Sequence, residues 1–154
     1  MNSGATVEIL EARAEGLPVL LSMMRRLAEH PPAIPFEEGE VRAALETFRA
    51  DAELGKAWLV WVGGRPAGYV ILTMGYSFEF RGRDAFIDEL YIEPEFRRMG
   101  LGRRAMQFVE EKARELRVNA VHLEVDHGND AAQELYRRAG FADQGRHLMT
   151  KWLR

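Results

Sequence analysis

The chain has 154 residues, 21 basic and 24 acidic side chains, and a formal net charge of −3; that length fits one domain, which buries roughly 70% of the surface it exposes unfolded. Hydrophobic residues at 47% and charged ones at 29% exclude disordered and collagen-like classes, and the mild acidity gives no global reason to bind nucleic acid. With no cysteine, disulfides, thiolate metal sites and cysteine nucleophiles are excluded.

Thr6 to Ala12 sets Val7 and Ile9 against Thr6 and Glu8 and predicts a first strand. Gly16-Leu17-Pro18 opens a helix whose apolar stripe is Leu17, Leu20, Leu21, Met24 and Leu27. Pro31, Pro32 and Pro35 break it and leave a stiff loop from His30 to Phe36. Helical spacing resumes over Glu37 to Ala50 through Val41, Leu45 and Phe48.

Ala57 to Val62 reads as a buried strand, and Gly63-Gly64-Arg65-Pro66 turns it into a second, Ala67 to Tyr76. This second strand can run on to Phe80 before Arg81-Gly82-Arg83-Asp84 turns the chain again. Ala85 to Ile92 is then a strand that ends before Pro94. Leu101 to Leu116 is a helix with Leu101, Ala105, Phe108, Val109 and Leu116 on one face. Val118 to Val125 alternates Val121, Leu123 and Val125 against His122 and Glu124, as a strand does. Asp130 to Ala139 is a short helix: Asp130 and Gln133 have capping-box spacing, and Gly140 stops it. Phe141 to Leu153 has room for one or two closing strands. This order predicts an α/β (α+β) fold, an open mixed sheet with helices on its faces.

The informative segment is Arg97-Arg98-Met99-Gly100-Leu101-Gly102, between a strand and the long helix. Glycines at alternate positions let the backbone approach a ligand closely. A helix start adds N–H donors and partial positive charge, which suits a pyrophosphate. Arg97, Arg98, Arg103 and Arg104 add cations; the bland alternative is a tight turn with solvated arginines. Gly100, Gly102 and Ala105 also satisfy the dinucleotide pattern G-x-G-x-x-A, with Glu124 as a ribose-binding acid. That pattern normally follows its strand at once, whereas here residues 93–99 intervene. Only one clear β-α-β unit exists, preceded by hairpins.

The same residues resemble the acyl-CoA signature R/Q-x-x-G-x-G/A of the GNAT superfamily of N-acyltransferases. The resemblance covers Ile87 to Phe141: "IDELYIEPEFRRMGLGRRAM" is similar to that superfamily's strand, loop and cofactor helix, and "LEVDHGNDAAQELYRRAGF" to the strand and helix that follow. It implies a single acetyltransferase domain over residues 1–154, with two strands splayed to admit acetyl-CoA and a bulge in the strand before the loop. Leu90, Tyr91 and Ile92 would line acetyl and pantetheine; Arg97, Arg98, Met99, Gly100, Leu101, Gly102 and Arg103 would cradle the pyrophosphate. Asn129 would bind the pantetheine arm and Tyr136 would sit near the sulfur, with Ala132 on the same helical face.

Acetyl transfer to an amine needs a neutral amine, a stabilised oxyanion and a protonated leaving thiol. Without cysteine, direct attack in a ternary complex is the simpler route. Tyr136, a phenol with pKa of about 10, suits the acid; otherwise it is a packing residue. Candidate bases are Glu124, Glu89 and Asp88. Glu124 is favoured, because alternation turns it away from Val121, Leu123 and Val125, and its place twelve residues before Tyr136 resembles the spacing in ribosomal-protein N-terminal acetyltransferases. His122, Glu124, Asp126 and His127 could be imagined around a metal, but strand-edge polar residues are ordinarily solvated, and no metal is expected.

The expected function is acetyl-CoA-dependent N-acetyltransfer to a primary amine, either of a small molecule or of a peptide amino terminus. The alternative is a non-catalytic acyl-CoA-binding sensor; a dinucleotide-binding protein ranks third. No nucleic-acid or membrane partner is expected, the setting is cytoplasmic, since the longest apolar run is Ala57 to Val62, and a homodimer is possible.

Overall fold

Residues 4–30 and 34–153 are described by the computed structural model; Pro31 and Pro32 of the expected proline loop lie outside them. The chain forms two compact units, one ending at Glu124 and the other starting at Val125. The first holds β1 (Val7–Glu11), α1 (Leu17–Ala28), α2 (Glu38–Ala50), β2 (Gly55–Val62), β3 (Arg65–Ser77), β4 (Gly82–Ile92), α3 (Leu101–Glu115) and β5 (Ala120–His122). The second holds α4 (Asp130–Arg138).

The sheet has the order β1-β2-β3-β4-β5. Its first three pairings are antiparallel, and β4 pairs with β5 in parallel. Short turns make β2–β3 and β3–β4 antiparallel, β1 reaches β2 through α1 and α2, and the parallel pair needs α3 as its crossover. This is the open mixed sheet that the alternation of hairpins and helices predicted.

Strand alternation divides the core between two faces. Leu59, Tyr69, Ile71 and Tyr91 pack with Leu17, Leu20, Leu21 and Met23 of α1 and Leu45 of α2. On the other face Val60, Val62 and Ala67 pack with Phe96 and with Leu101 of α3. Trp58 meets Phe108 of α3 edge-on at 5.4 Å, an arrangement worth about 0.5–1.5 kcal/mol beyond burial. Leu101, Ala105, Met106, Val109 and Ala113 are the buried stripe of α3, close to the face read from spacing.

Three expectations are corrected. The strand expected over Val118 to Val125 is only Ala120–His122, because Asp126 to Asn129 turns the chain: the Asn129 N–H donates to the Asp126 carbonyl at 3.0 Å. Glu124 therefore lies outside the ladder, and Val125 is 36% exposed rather than in a core. No strand forms among the described residues of Phe141 to Leu153. Leu148, Met149, Trp152 and Leu153 come in adjacent pairs and are exposed, so they lack the period-2 pattern that would hold a register. Third, the cap of α4 is Asn129, not Asp130: its side chain accepts from the Ala132 N–H at 3.1 Å. The helix stop is as expected, with Gly140 at φ 92° beyond Ala139.

Gly68 of β3 pairs with Ile92 of β4. A Cβ there would stand 2.3 Å from the Tyr91 carbonyl oxygen and 2.8 Å from Ile92 Cδ1. Gly68→Ala must push the two strands apart, and overpacking of this kind costs about 1–3 kcal/mol. The expected result is a Tm lower by roughly 2–12 °C for a domain of this size, read by thermal denaturation; an unchanged Tm would mean that β4 shifts freely.

Candidate active site

The bulge expected before the arginine loop is present. β3 and β4 pair Ile71 with Glu89 and then Leu72 with Ile87, so Asp88 is an extra residue on β4. A bulge re-aims the side chains that follow it. Here it sets Phe86, Glu89 and Tyr91 opposite Thr73, Ile71 and Tyr69, and of these Tyr69, Ile71 and Tyr91 pack with α1 and α2.

The splay is equally plain. Pairing of β4 with β5 stops at Phe86↔His122, although β4 continues to Ile92. From Ile87 to Ile92, one edge of β4 has no strand partner among the described residues. Its outward N–H and C=O groups are what a pantetheine amide chain would take up, as an extra strand does. Leu90, Tyr91 and Ile92 lie on this stretch.

Glu93 to Gly100 turns β4 into α3 through a 3-10 turn at Pro94–Phe96. Arg98 at φ 63° and Gly100 at φ 75° both adopt the left-handed region, natural for glycine and costly for arginine. Two such residues flanking Met99 fold the loop tightly over the helix start. Arg97, Arg98, Met99 and Gly100 are exposed. The first backbone bond of α3 runs from the Arg104 N–H to the Gly100 carbonyl at 3.1 Å. The N–H groups of Leu101, Gly102 and Arg103 precede that ladder and point out of the helix end. No acidic residue stands in the first turn, so nothing local offsets the positive end of the helix. Donors, dipole and arginines together form a ready anion site.

Glu89 is half-buried and accepts a hydrogen bond from the Tyr69 hydroxyl at 2.8 Å. Burial raises its carboxyl pKa above the ordinary value; the Tyr69 bond opposes this, and the charge of Asp88 adds to it. Tyr69 is fully buried, and burial together with the Glu89 charge pushes its phenol far up, so it remains a donor. Asp88 is also raised, by desolvation. Glu124, the base favoured from spacing, is exposed and follows the end of β5. The alternation that ranked it first does not extend to it.

Within the second unit, Tyr136 is half-buried on α4, its ring 6.2 Å from that of Phe141. Burial raises its phenol pKa, which favours the protonated form. Asn129 uses its Oδ1 for the helix cap, and Ala132 donates to it. Among the described residues no cluster suited to a metal ion forms. His122 instead faces Asp84, Nε2 to Oδ2 3.3 Å, with its ring 4.8 Å from Phe80 and 5.1 Å from Phe86. No helix among the described residues is long and apolar enough to cross a membrane.

Spacing did not single out Tyr69, the hydrogen-bond partner of Glu89. A tyrosine in the run Gly68–Leu72, otherwise glycine and aliphatic, was the available signal, since a buried phenol needs a partner.

The family model for the acetyltransferase (GNAT) family matches residues 21–141. The chain belongs to the GNAT acetyltransferase family. The thialysine N-ε-acetyltransferase of Bos taurus is 28% identical over 151 residues, covering 90% of this chain and 86% of that protein. An integron cassette protein from the mobile metagenome of a salt marsh has a TM-score of 0.83 at 30% identity, covering 95% of this chain and 90% of its own. A predicted acetyltransferase of Clostridium acetobutylicum, solved with acetyl-CoA, has a TM-score of 0.79 at 17% identity, with 95% and 96% covered. This GNAT chain is an acetyl-CoA-dependent N-acyltransferase.

With acetyl-CoA as cosubstrate, the loop is open to a direct test. Gly102 is the second residue of α3, where a side chain would stand between the backbone donors and a phosphate. Gly102→Leu is expected to weaken CoA binding by at least about 100-fold, whereas Arg98→Ala costs less than about tenfold because exposed charges are screened. Isothermal titration with CoA checks both; normal binding by Gly102→Leu would remove the pyrophosphate from this loop.

Proposed function

We propose that the protein transfers acetyl from acetyl-CoA to a primary aliphatic amine of a small molecule by direct attack in a ternary complex, with Glu89 as base and Tyr136 as acid. The observation that carries this reading is Glu89, a half-buried carboxylate beside the open edge of β4, held by Tyr69. The bovine relative's name puts the reacting nitrogen at an ε-amine, which supports an acceptor amine carried on a flexible chain.

The amine nitrogen attacks the thioester carbonyl carbon and forms a C–N bond. Its surplus proton passes to Glu89, directly or through a water. Backbone donors along β4 stabilise the oxyanion. Collapse breaks the C–S bond, and the departing thiolate takes the Tyr136 proton. A raised carboxyl pKa makes Glu89 a better proton acceptor near neutral pH than an exposed glutamate. Tyr136 contributes through its phenol, and the amide of Asn129 would meet the pantetheine arm. A panel of thialysine, lysine, a polyamine, an aminoglycoside and a peptide amino terminus, read by CoA release, tests the acceptor. Turnover confined to the peptide would overturn the small-molecule reading.

Removal of the base should lower turnover without loss of cofactor. Glu89→Gln is expected to reduce kcat by about 10²–10⁴-fold, with CoA affinity near wild type, and Glu124→Gln to have a smaller effect. Since the Tyr69 hydrogen bond lowers the Glu89 pKa, Tyr69→Phe should raise it. The acidic limb of the pH–rate curve, above which the base is free, then moves to higher pH. A limb that stays put in Tyr69→Phe, or a larger loss in Glu124→Gln, would move the base away from Glu89.

Tyr136→Phe keeps the aromatic packing and removes the proton. The expected loss in kcat is again about 10²–10⁴-fold, smaller for acyl donors with a more acidic leaving thiol. Unchanged turnover would make Tyr136 a packing residue only.

A further inference from the structure

We infer that Glu93 is a positioning residue: its side chain ties the end of β4, and through it the cofactor loop, to helix α1. Among the described residues it is the one charged side chain in the buried set, at 7% exposure. A carboxylate withdrawn from water in this way must be paired and hydrogen-bonded. Both oxygens are engaged. Oε1 accepts from the Arg26 guanidinium of α1, and Oε2 accepts from the Tyr91 hydroxyl at 3.1 Å.

The main chain of the same residue makes the turn. Its N–H donates to the Ala67 carbonyl at 2.9 Å, and its carbonyl accepts from the Phe96 N–H at 2.9 Å. Arg97, which opens the cofactor loop, is fixed by the same group of residues. Its Nε donates to the Ile92 carbonyl at 3.0 Å, and its guanidinium lies 5.9 Å from the centre of the Tyr91 ring. Tyr91 in turn lies 5.8 Å, ring to ring, from Tyr69, the residue that holds Glu89.

One buried carboxylate therefore sets the point where β4 becomes the loop. Hydrogen bonds weaken steeply when donors leave their geometry, so loss of the tether should be felt by the cofactor first. The inference rests on the reading that CoA is bound by residues 97–103.

Glu93→Gln is the informative variant, because it keeps the shape and leaves Arg26, which is 43% exposed on its side chain, able to reach water. The expected result is CoA affinity about tenfold weaker by isothermal titration and a matching rise in KM for acetyl-CoA. KM for the best amine of the panel stays within about twofold. Arg26→Gln combined with Glu93→Gln should be no worse than the poorer single variant, since coupled partners are non-additive. Tyr91→Phe retains the charge pair and packing, loses one hydrogen bond, and should weaken CoA about threefold. A folded Glu93→Gln protein with wild-type CoA affinity overturns the inference, as do equal rises in both KM values. If Glu93→Gln does not fold, wild-type affinity in Tyr91→Phe overturns it instead. Failure of the wild-type protein to bind CoA is a separate outcome that would overturn the loop assignment itself.

Discussion

A strand in the middle of a sheet normally satisfies its backbone on both edges, and β4 does so only along its first part. β3 accompanies it throughout, but β5 leaves after Phe86↔His122. Everything distinctive in this fold gathers along the stretch that β5 abandons. The bulge at Asp88 falls there, so Glu89 and Tyr91 share the face of Tyr69 instead of alternating away from it. The stretch ends at Glu93, where the loop to α3 begins. An open strand edge followed by a helix start offers two kinds of backbone donor in succession, one suited to an amide chain and the other to a phosphate.

The polar groups on this strand are few and are not interchangeable. Glu89 and Glu93 are four residues apart, yet they meet opposite demands. Glu93 has a cation and a phenol on its two oxygens, an arrangement that holds a charge in place and leaves little to react. Among the described residues Glu89 has the Tyr69 phenol as its side-chain hydrogen-bond partner, and burial works against its charge. The first is built to hold still. The second, in the proposed mechanism, is the group that gains and loses a proton.

Much of this was legible in the residues. Hairpin turns, helix stripes and the Arg-x-x-Gly-x-Gly segment are local features, and local features survive in a linear reading. Tyr136, Asn129 and the loop from Arg97 to Arg103 were singled out by resemblance to the GNAT signature, and they stand as the proposed site. What failed was register. Val121, Leu123 and Val125 alternate correctly, but a strand lasts only as long as its partner stays beside it, and the turn from Asp126 to Asn129 ends β5 at His122. The ranking of Glu124 over Glu89 depended on that alternation. The closing strands expected after Phe141 fail for a related reason, since nothing in a sequence supplies the neighbour a ladder needs.

The bulge marks the limit of counting. On a regular strand Asp88 and Glu89 point to opposite faces, and sequence alone leaves open which of them meets the acceptor. One inserted residue tells their surroundings apart: with Asp88 as the extra residue, Glu89 comes opposite Ile71 and within 2.8 Å of the buried Tyr69 hydroxyl. Gly68, one residue before Tyr69, also lies hard against β4, 2.3 Å from the Tyr91 carbonyl to where a Cβ would be. Site chemistry and strand packing therefore meet on the same two strands: the pairing that leaves no room for a side chain at Gly68 is the one that sets Tyr91 opposite Tyr69 and Glu89 opposite Ile71.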